Sequence, residues 1–317
     1  KIQGYRGSSH NEPLVIGSTA LFIQEKGSIV RDLAYRYEDD VYGGSDLSVM
    51  SNHLFDGYQI TDWAYAQVPY SAAWLVRDDG LMLGLTYMRE QDVWGWHRHT
   101  TDGKYESVCS ISEGKEDRVY MCIQREINGQ TQRYIEVMAT RISEPVEEAF
   151  YVDCGLSYKG DEKQSFSGLE HLEGKTVSIL ADGNVHTPLL VKNGAITLEY
   201  PAKVINVGLP YVAEIETLDL NIPTQESIRD RKKSVSSISL YLYATRGGWV
   251  GEHKDKMTEL KPRAVSDNYN RIEPFTGLSS CAIRSSWNVA GSVIVQQRDP
   301  LPISILNAIP NVTVGGA

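Results

Sequence analysis

Two histidines separated by one residue are the first candidates for chemistry in this sequence. In His97-Arg98-His99, positions i and i+2 of a strand would place both imidazoles on one face. Such a pair could begin a metal site, but no third ligand is evident. We favour the alternative, that both are polar residues at a strand end beside Trp94 and Trp96, and we predict no metal ligands.

Adjacent carboxylates are the second candidates. They occur at Asp39-Asp40 and at Asp78-Asp79. Glycoside hydrolysis needs two carboxylates that face each other across a defined gap, whereas sequence neighbours on a hairpin turn point to solvent or to opposite faces. Turn formation explains these aspartates more simply, so we assign them no catalytic role.

Phosphate chemistry has two weak candidates. Gly43-Gly44 has no helix after it, so it lacks the architecture of a phosphate-binding loop. The run from Arg229 to Lys233 is the one basic run. It could contact phosphate, but a solvated helix end or a salt bridge between subunits is the interpretation that we favour.

A group of aromatic residues could stack on sugar rings, although packing in a core or an interface is their commoner use. The group comprises Tyr58, Trp63, Tyr65, Tyr70 and Trp74. The sequence shows no hydrolase elbow, zinc-protease helix, nucleotide-binding loop or dinucleotide fingerprint. We therefore predict a protein that is not an enzyme, with no catalytic residues, no metal and no cofactor.

Charge narrows the function classes further. The 317 residues carry 31 Lys and Arg against 41 Asp and Glu, a net charge of -10. This balance argues against a protein that grips nucleic acid or anionic lipid, since both need clustered cations. No apolar run approaches the ~20 residues of a membrane helix, and no leader follows Lys1, so we predict no membrane anchor.

The four cysteines show neither CxxC spacing nor a compact framework. We interpret them as reduced thiols, consistent with assembly in a reducing cytoplasm. Cys109 and Cys122 could face each other on neighbouring strands, so this one pair stays open.

The elements that would position these residues are strands. β-branched and aromatic alternation is widespread, and helical periodicity is scarce. The segment from Ala73 to Ser112 predicts four antiparallel strands, the size of one β-propeller blade. Gly80 and Gly103 end two of its turns and would supply positive φ. The four strands are expected at residues 73–77, 81–87, 92–99 and 105–112.

This pattern occurs twice in the sequence. Residues 18–27 align with residues 71–80, and after a one-residue gap the likeness continues to Gly43 and Gly95. A third unit starts near Asp117 and contains the hairpin signal Asn128-Gly129. We predict a partial propeller over residues 1–142. Three blade-like units cannot close a ring, so further blades are expected upstream of Lys1; a generic antiparallel domain is the alternative.

Two further regions complete the predicted all-β fold. Residues 143–222 contain short strands joined by Asp182-Gly183 and Asn193-Gly194, which suggests a small β-barrel or sandwich. Residues 223–317 form a mixed, β-rich region with one short helix from Thr224 to about Lys233. There, residues 235–245 are expected to be a strand, and residues 252–272 an exposed loop.

Several longer segments resemble tail proteins of short-tailed bacteriophages. The likeness runs in order from about residue 14 to the end and is most specific in the central blade. The segments that carry it are Trp74–His99, Gly168–Gly183, Val207–Tyr211, Pro274–Gly277 and Val295–Pro302.

The resemblance is to the tail nozzle, or tail tubular protein B-like, family. It implies a structural virion protein that is assembled in the bacterial cytoplasm and forms a ring, usually six-fold. Such a ring would pass viral DNA without sequence-specific binding and would dock tail adaptor and tail fibre proteins. The alternatives are a tail protein that binds or hydrolyses glycans, and a cellular propeller scaffold.

Overall fold

The computed structural model describes residues 6–37, 40–141, 145–221, 227–260 and 273–315. The chain divides into two compact units, Lys1–Met138 and Ala139–Ala317. Strands make up 58% of the described residues and helix 5%, so the predicted all-β class is confirmed. The division into regions 1–142, 143–222 and 223–317 stays a prediction.

Among its described residues, the first unit contains three antiparallel sheets. The first two are four-stranded meanders in the order β1-β2-β3-β4 and β5-β6-β7-β8, and the third has the order β11-β10-β9. Two short 3-10 turns lie at Val49–Leu54 and Arg89–Gln91. The strands are β1 Leu14–Ile16, β2 Thr19–Ile23, β3 Val30–Arg36, β4 Val41–Gly43, β5 Ile60–Ala66, β6 Ala72–Arg77, β7 Met82–Met88, β8 Val93–His99, β9 Lys104–Glu113, β10 Glu116–Ile127 and β11 Gln130–Val137.

The repeat detected in the sequence forms two equivalent meanders, with β2, β3 and β4 matching β6, β7 and β8. The four strands predicted between residues 73 and 112, however, do not share one sheet. The second sheet begins one strand earlier, at β5, and β9 pairs with β10 instead of β8. Strand β9 leaves the meander because its Tyr105 and Val108 join a separate core with β10 and the second sheet. Local alternation cannot encode that choice of partner.

The second sheet is buried on both faces. Ala73 and Leu75 of β6 pack in a core shared with the first sheet. Trp74 and Val76 pack in a second core, shared with the third sheet. Because successive strand residues point to opposite faces, a continuous apolar run lets this sheet lie between its two neighbours.

The part of the second unit that the structure describes also contains three antiparallel sheets. Their orders are β12-β15-β13-β14, β16-β21-β18-β19 and β20-β17-β22, and 3-10 turns lie at Val146–Glu148 and Glu170–Leu172. The strands are β12 Asp153–Ser167, β13 Thr176–Ala181, β14 Asn184–Leu190, β15 Ala195–Leu209, β16 Ala213–Glu216, β17 Lys233–Thr245, β18 Trp249–Gly251, β19 Met257–Glu259, β20 Phe275–Ala282, β21 Ile294–Gln297 and β22 Ile305–Val314.

The four-stranded sheet of β12 to β15 has its own core, which includes Phe166, Val177, Ile179 and Ile205. The described residues form no closed barrel here. Short strands were expected throughout residues 143–222, but residues 195–209 form one 15-residue strand, β15. Strand β12 was not predicted, because its residues are mostly exposed and polar and lack an apolar alternation.

The other two sheets of this unit share one core. Ile238, Leu240 and Leu242 of β17 pack with Val250 of β18 and Val295 of β21. Strand β17 covers the predicted strand at residues 235–245. The expected exposed loop at 252–272 is partly wrong. Its described part contains β19, and residues 261–272 lie outside the described residues.

The predicted helix from Thr224 to Lys233 is wrong where it can be compared. Residues 222–226 lie outside the described residues, residues 227–232 form no helix, and Lys233 begins β17. Lys233 and Asn288 exchange two backbone hydrogen bonds of 2.6 and 3.0 Å. Backbone pairing with a residue distant in sequence therefore overrides the local capping signal.

The short turns agree best with the sequence. Both residues of Asn128-Gly129, Asp182-Gly183 and Asn193-Gly194 have positive φ, as type I′ hairpins require. Gly80 has φ +88° as expected. Gly103, in contrast, does not have the expected positive φ. A Cβ on Gly103 would lie 2.3 Å from the Gln124 carbonyl oxygen, so this glycine permits the close approach of the backbone to β10.

Candidate functional site

The two candidate histidines do lie together, on the face of β8 that also carries the Trp74 contact. His97 Nδ1 and His99 Nε2 are 2.7 Å apart, and both rings meet the Trp74 ring edge to face. A Cβ on Gly84 would lie 2.0 Å from the His97 ring, so glycine is required to seat it. No group of three potential metal-binding side chains occurs among the described residues.

The histidines' aromatic neighbour differs from the one expected. Trp94 and Trp96 are offset from His97 and His99 by odd numbers of residues, so they point to the opposite face of β8. Trp96 contacts Phe55 there, and its Nε1 donates to the Leu47 carbonyl at 2.7 Å. The half-buried histidine pair thus packs against Trp74, which belongs to the core between the second and third sheets.

The paired carboxylates do not converge. Asp39 lies outside the described residues, and Asp40 accepts a hydrogen bond from the Tyr35 hydroxyl at 2.5 Å. Asp79 accepts two hydrogen bonds from the Arg77 guanidinium at 3.0 and 2.5 Å. These bonds lower the pKa of Asp79, and the group stabilises the turn between β6 and β7.

A buried polar network between the first two sheets was missed by sequence reasoning. The Tyr87 hydroxyl donates to Asp32 at 3.3 Å, and both residues are nearly inaccessible. Burial, followed by the nearby Asp32 charge, raises the pKa of Tyr87 to about 12. Arg89 continues the network by donating to Thr19 Oγ1 at 2.6 Å. No local motif signals it, since its two hydrogen bonds join residues 55 and 70 positions apart.

The glycine pair at residues 43–44 has a packing role. A Cβ on Gly44 would lie 1.7 Å from the Asp32 carbonyl oxygen, which no rearrangement of a side chain could relieve. Ser45 donates its backbone N–H to the Asp32 carboxylate. The backbone just after β4 therefore lies directly against β3.

The basic run divides between surface and interior. Arg229 and Lys232 are exposed, whereas Lys233 is fully buried. The Lys233 ammonium donates to the Val289 carbonyl at 2.5 Å. An external phosphate could therefore reach only part of the run.

The aromatic group is also divided. Trp63 packs in the core between the first two sheets, and Trp74 packs in the core on the other side. The Arg77 guanidinium lies 3.4 Å from the Tyr58 ring centre, and Tyr70 is exposed. These rings do not form one stacking surface for a sugar.

An open cavity of about 560 Å³ lies in the second unit, lined by residues that include Glu216, Glu252 and Asp255. Glu252, which was expected in an exposed loop, is 8% exposed. Its carboxylate accepts hydrogen bonds from the backbone of Val235 and from both the backbone and the hydroxyl of Ser286. It therefore ties a loop to β17.

All four cysteines are free thiols. Cys109 lies opposite Tyr120, and Cys122 lies opposite Ser107, so the two cysteines are diagonal neighbours. The Cys122 thiol lies 3.7 Å from a Glu106 carboxylate oxygen, and burial is the main cause that raises its pKa.

No family model matches the chain, and no curated protein matches it. Within the described ranges, every helix is too short or too polar to cross a membrane.

Proposed function

We propose that this chain is a structural component of a short-tailed bacteriophage tail, similar to the nozzle protein, which assembles with further copies into a ring or tube. The observation that carries the proposal is the ordered resemblance from about residue 14 to the end, strongest between Trp74 and His99. The arrangement of the first unit supports it independently.

In this proposal the three sheets of the first unit are consecutive propeller blades. Each of the first two is a four-stranded meander, and the middle sheet buries both faces against its neighbours. Blades of a propeller pack in this way. The outer face of the first sheet carries exposed Val15, Leu33, Tyr35 and Tyr42, as expected for a blade that meets another blade.

Charge supports the passage of DNA without retention. A net charge of -10 repels phosphate, and Lys233, the last lysine of the basic run, is buried. A wall that binds DNA through many cations would hold the genome, because each neutralised phosphate adds affinity. A repelling wall would let it slide.

Assembly is tested by native mass spectrometry and negative-stain microscopy of the purified chain. We expect closed particles of several copies with a central opening. A monomer at concentrations of hundreds of micromolar would overturn the proposal. In parallel, duplex DNA at physiological salt should show no binding, and tight binding would contradict the charge argument.

A further inference from the structure

The sheet formed by β20, β17 and β22 has an outer face without charge. In a chain of which 23% of residues are charged, the one charged side chain on these three strands is Lys233, which is fully buried. The inner face, with Ile238, Leu240 and Leu242, packs in the core. The outer face therefore presents only apolar and uncharged polar groups.

Cross-strand pairing places the apolar groups of this face together. Tyr241 lies opposite Leu278 on one side and Asn307 on the other. In the next outward row, Ser239 lies between Ser280 and Ile309. The two serine hydroxyls are 2.7 Å apart. A central aliphatic and aromatic patch is thus bordered by Ser and Asn.

The patch is exposed in the single chain. Tyr241, Tyr243, Leu278 and Ile309 are each about half accessible, at 46%, 55%, 55% and 53%. An aromatic centre, uncharged surroundings and depletion of charge are the composition of a protein–protein interface core. We call this surface, defined by these four residues with Ser239 and Ser280, the neutral face.

We infer that the neutral face is the surface on which a second copy of this chain docks; this rests on the proposed assembly of several copies. Electrostatics favours this face for the contact between two copies. Two chains that each carry a net charge of -10 repel each other wherever acidic surfaces approach, and like charges across an interface are costly. A face without charge avoids that cost.

The size of the neutral face sets the expected affinity between two copies. Three strands spaced at ~4.8 Å with about eight residues at ~3.3 Å each present roughly 400 Å² in projection. A standard interface uses about 800 Å² per partner. The face would therefore be the centre of a contact completed by its rim, with dissociation expected in the micromolar range.

The test uses sedimentation velocity to measure how the mass of the full chain in solution depends on its concentration. Tyr241→Lys and Ile309→Lys each place a charge in the centre of the neutral face and should raise the dissociation constant at least tenfold. Leu218→Lys is the matched control, since Leu218 is an apolar side chain that is 91% exposed outside the face. Circular dichroism and thermal unfolding establish that each variant is folded.

The two hypotheses fail in distinguishable ways. If the parent chain assembles and both face variants assemble equally well, the neutral face is not the contact and the proposed tail ring is unaffected. If the parent chain stays monomeric, the inference and the proposed ring both fail. Binding of a monomeric chain to neutral lipid vesicles, lost in both face variants, would replace the second copy with a lipid surface.

Salt gives a second readout. Because the face carries no ion pairs, raising salt from about 0.05 to 0.5 M should strengthen association by screening the repulsion between acidic chains. Dissociation at high salt would show that charged contacts hold the copies together and would overturn the inference.

Discussion

Replacing Glu136 with glutamine should destabilise the first unit by about 3 kcal/mol, because it leaves a buried arginine without its counter-charge. Arg125 is 1% exposed. Its guanidinium donates to the two Glu136 carboxylate oxygens at 2.6 and 2.8 Å and to the Asp102 carbonyl at 3.1 Å. Glutamine keeps the shape and one acceptor oxygen but removes the negative charge.

The expected shift in melting temperature follows from the size of the unit. The first unit spans Lys1–Met138, and an unfolding entropy of about 2.1 cal/mol/K per residue gives roughly 0.29 kcal/mol/K for such a length. A loss of about 3 kcal/mol therefore lowers the midpoint by about 10 °C. Differential scanning calorimetry of the full chain would follow the transition of this unit.

The same sheet offers a matched control on its other face. The Arg133 guanidinium donates to both Glu106 carboxylate oxygens at 2.7 and 2.9 Å, but the Arg133 side chain is 61% exposed. Glu106→Gln should cost under about 1 kcal/mol, since solvent screens exposed pairs. Equal shifts for Glu106→Gln and Glu136→Gln would refute the argument that burial sets the cost.

Three further outcomes are expected. Gly44→Ala should lower the melting temperature strongly, because the added Cβ would overlap the Asp32 backbone. Gly95→Ala should leave the melting temperature nearly unchanged, because a Cβ there meets nothing within 4 Å. Equal melting temperatures for the two variants would contradict the packing argument. Stability should fall as pH rises from about 10 through about 12, because the pKa of Tyr87 is raised to about 12 on folding and unfolding releases its proton more readily. Tyr87→Phe should flatten this alkaline loss in urea titrations. Thiol titration of the unfolded, unreduced chain should give four free thiols, and a lower number would reveal a disulfide.

The local sequence determined the turns and much of the strand pattern. Asn128-Gly129 and Asn193-Gly194 predict their hairpins because few other residues accept positive φ at both central positions. The alternation from Val235 to Thr245 predicts β17 because one face of a sheet must be apolar. These signals lie within a few residues of the structure that they specify.

Tertiary structure alone decided which strands share a sheet and which polar groups are buried. The pattern of β9 fits a fourth blade strand equally well, and its partner β10 is selected by packing against the second sheet. Lys233 has the local signature of a helix end, yet it becomes the buried start of β17 by pairing with Asn288. The Asp32–Tyr87 contact joins two sheets and the Arg125–Glu136 contact joins two paired strands. Residues distant in sequence bury these groups, so no local sequence pattern could have predicted their burial.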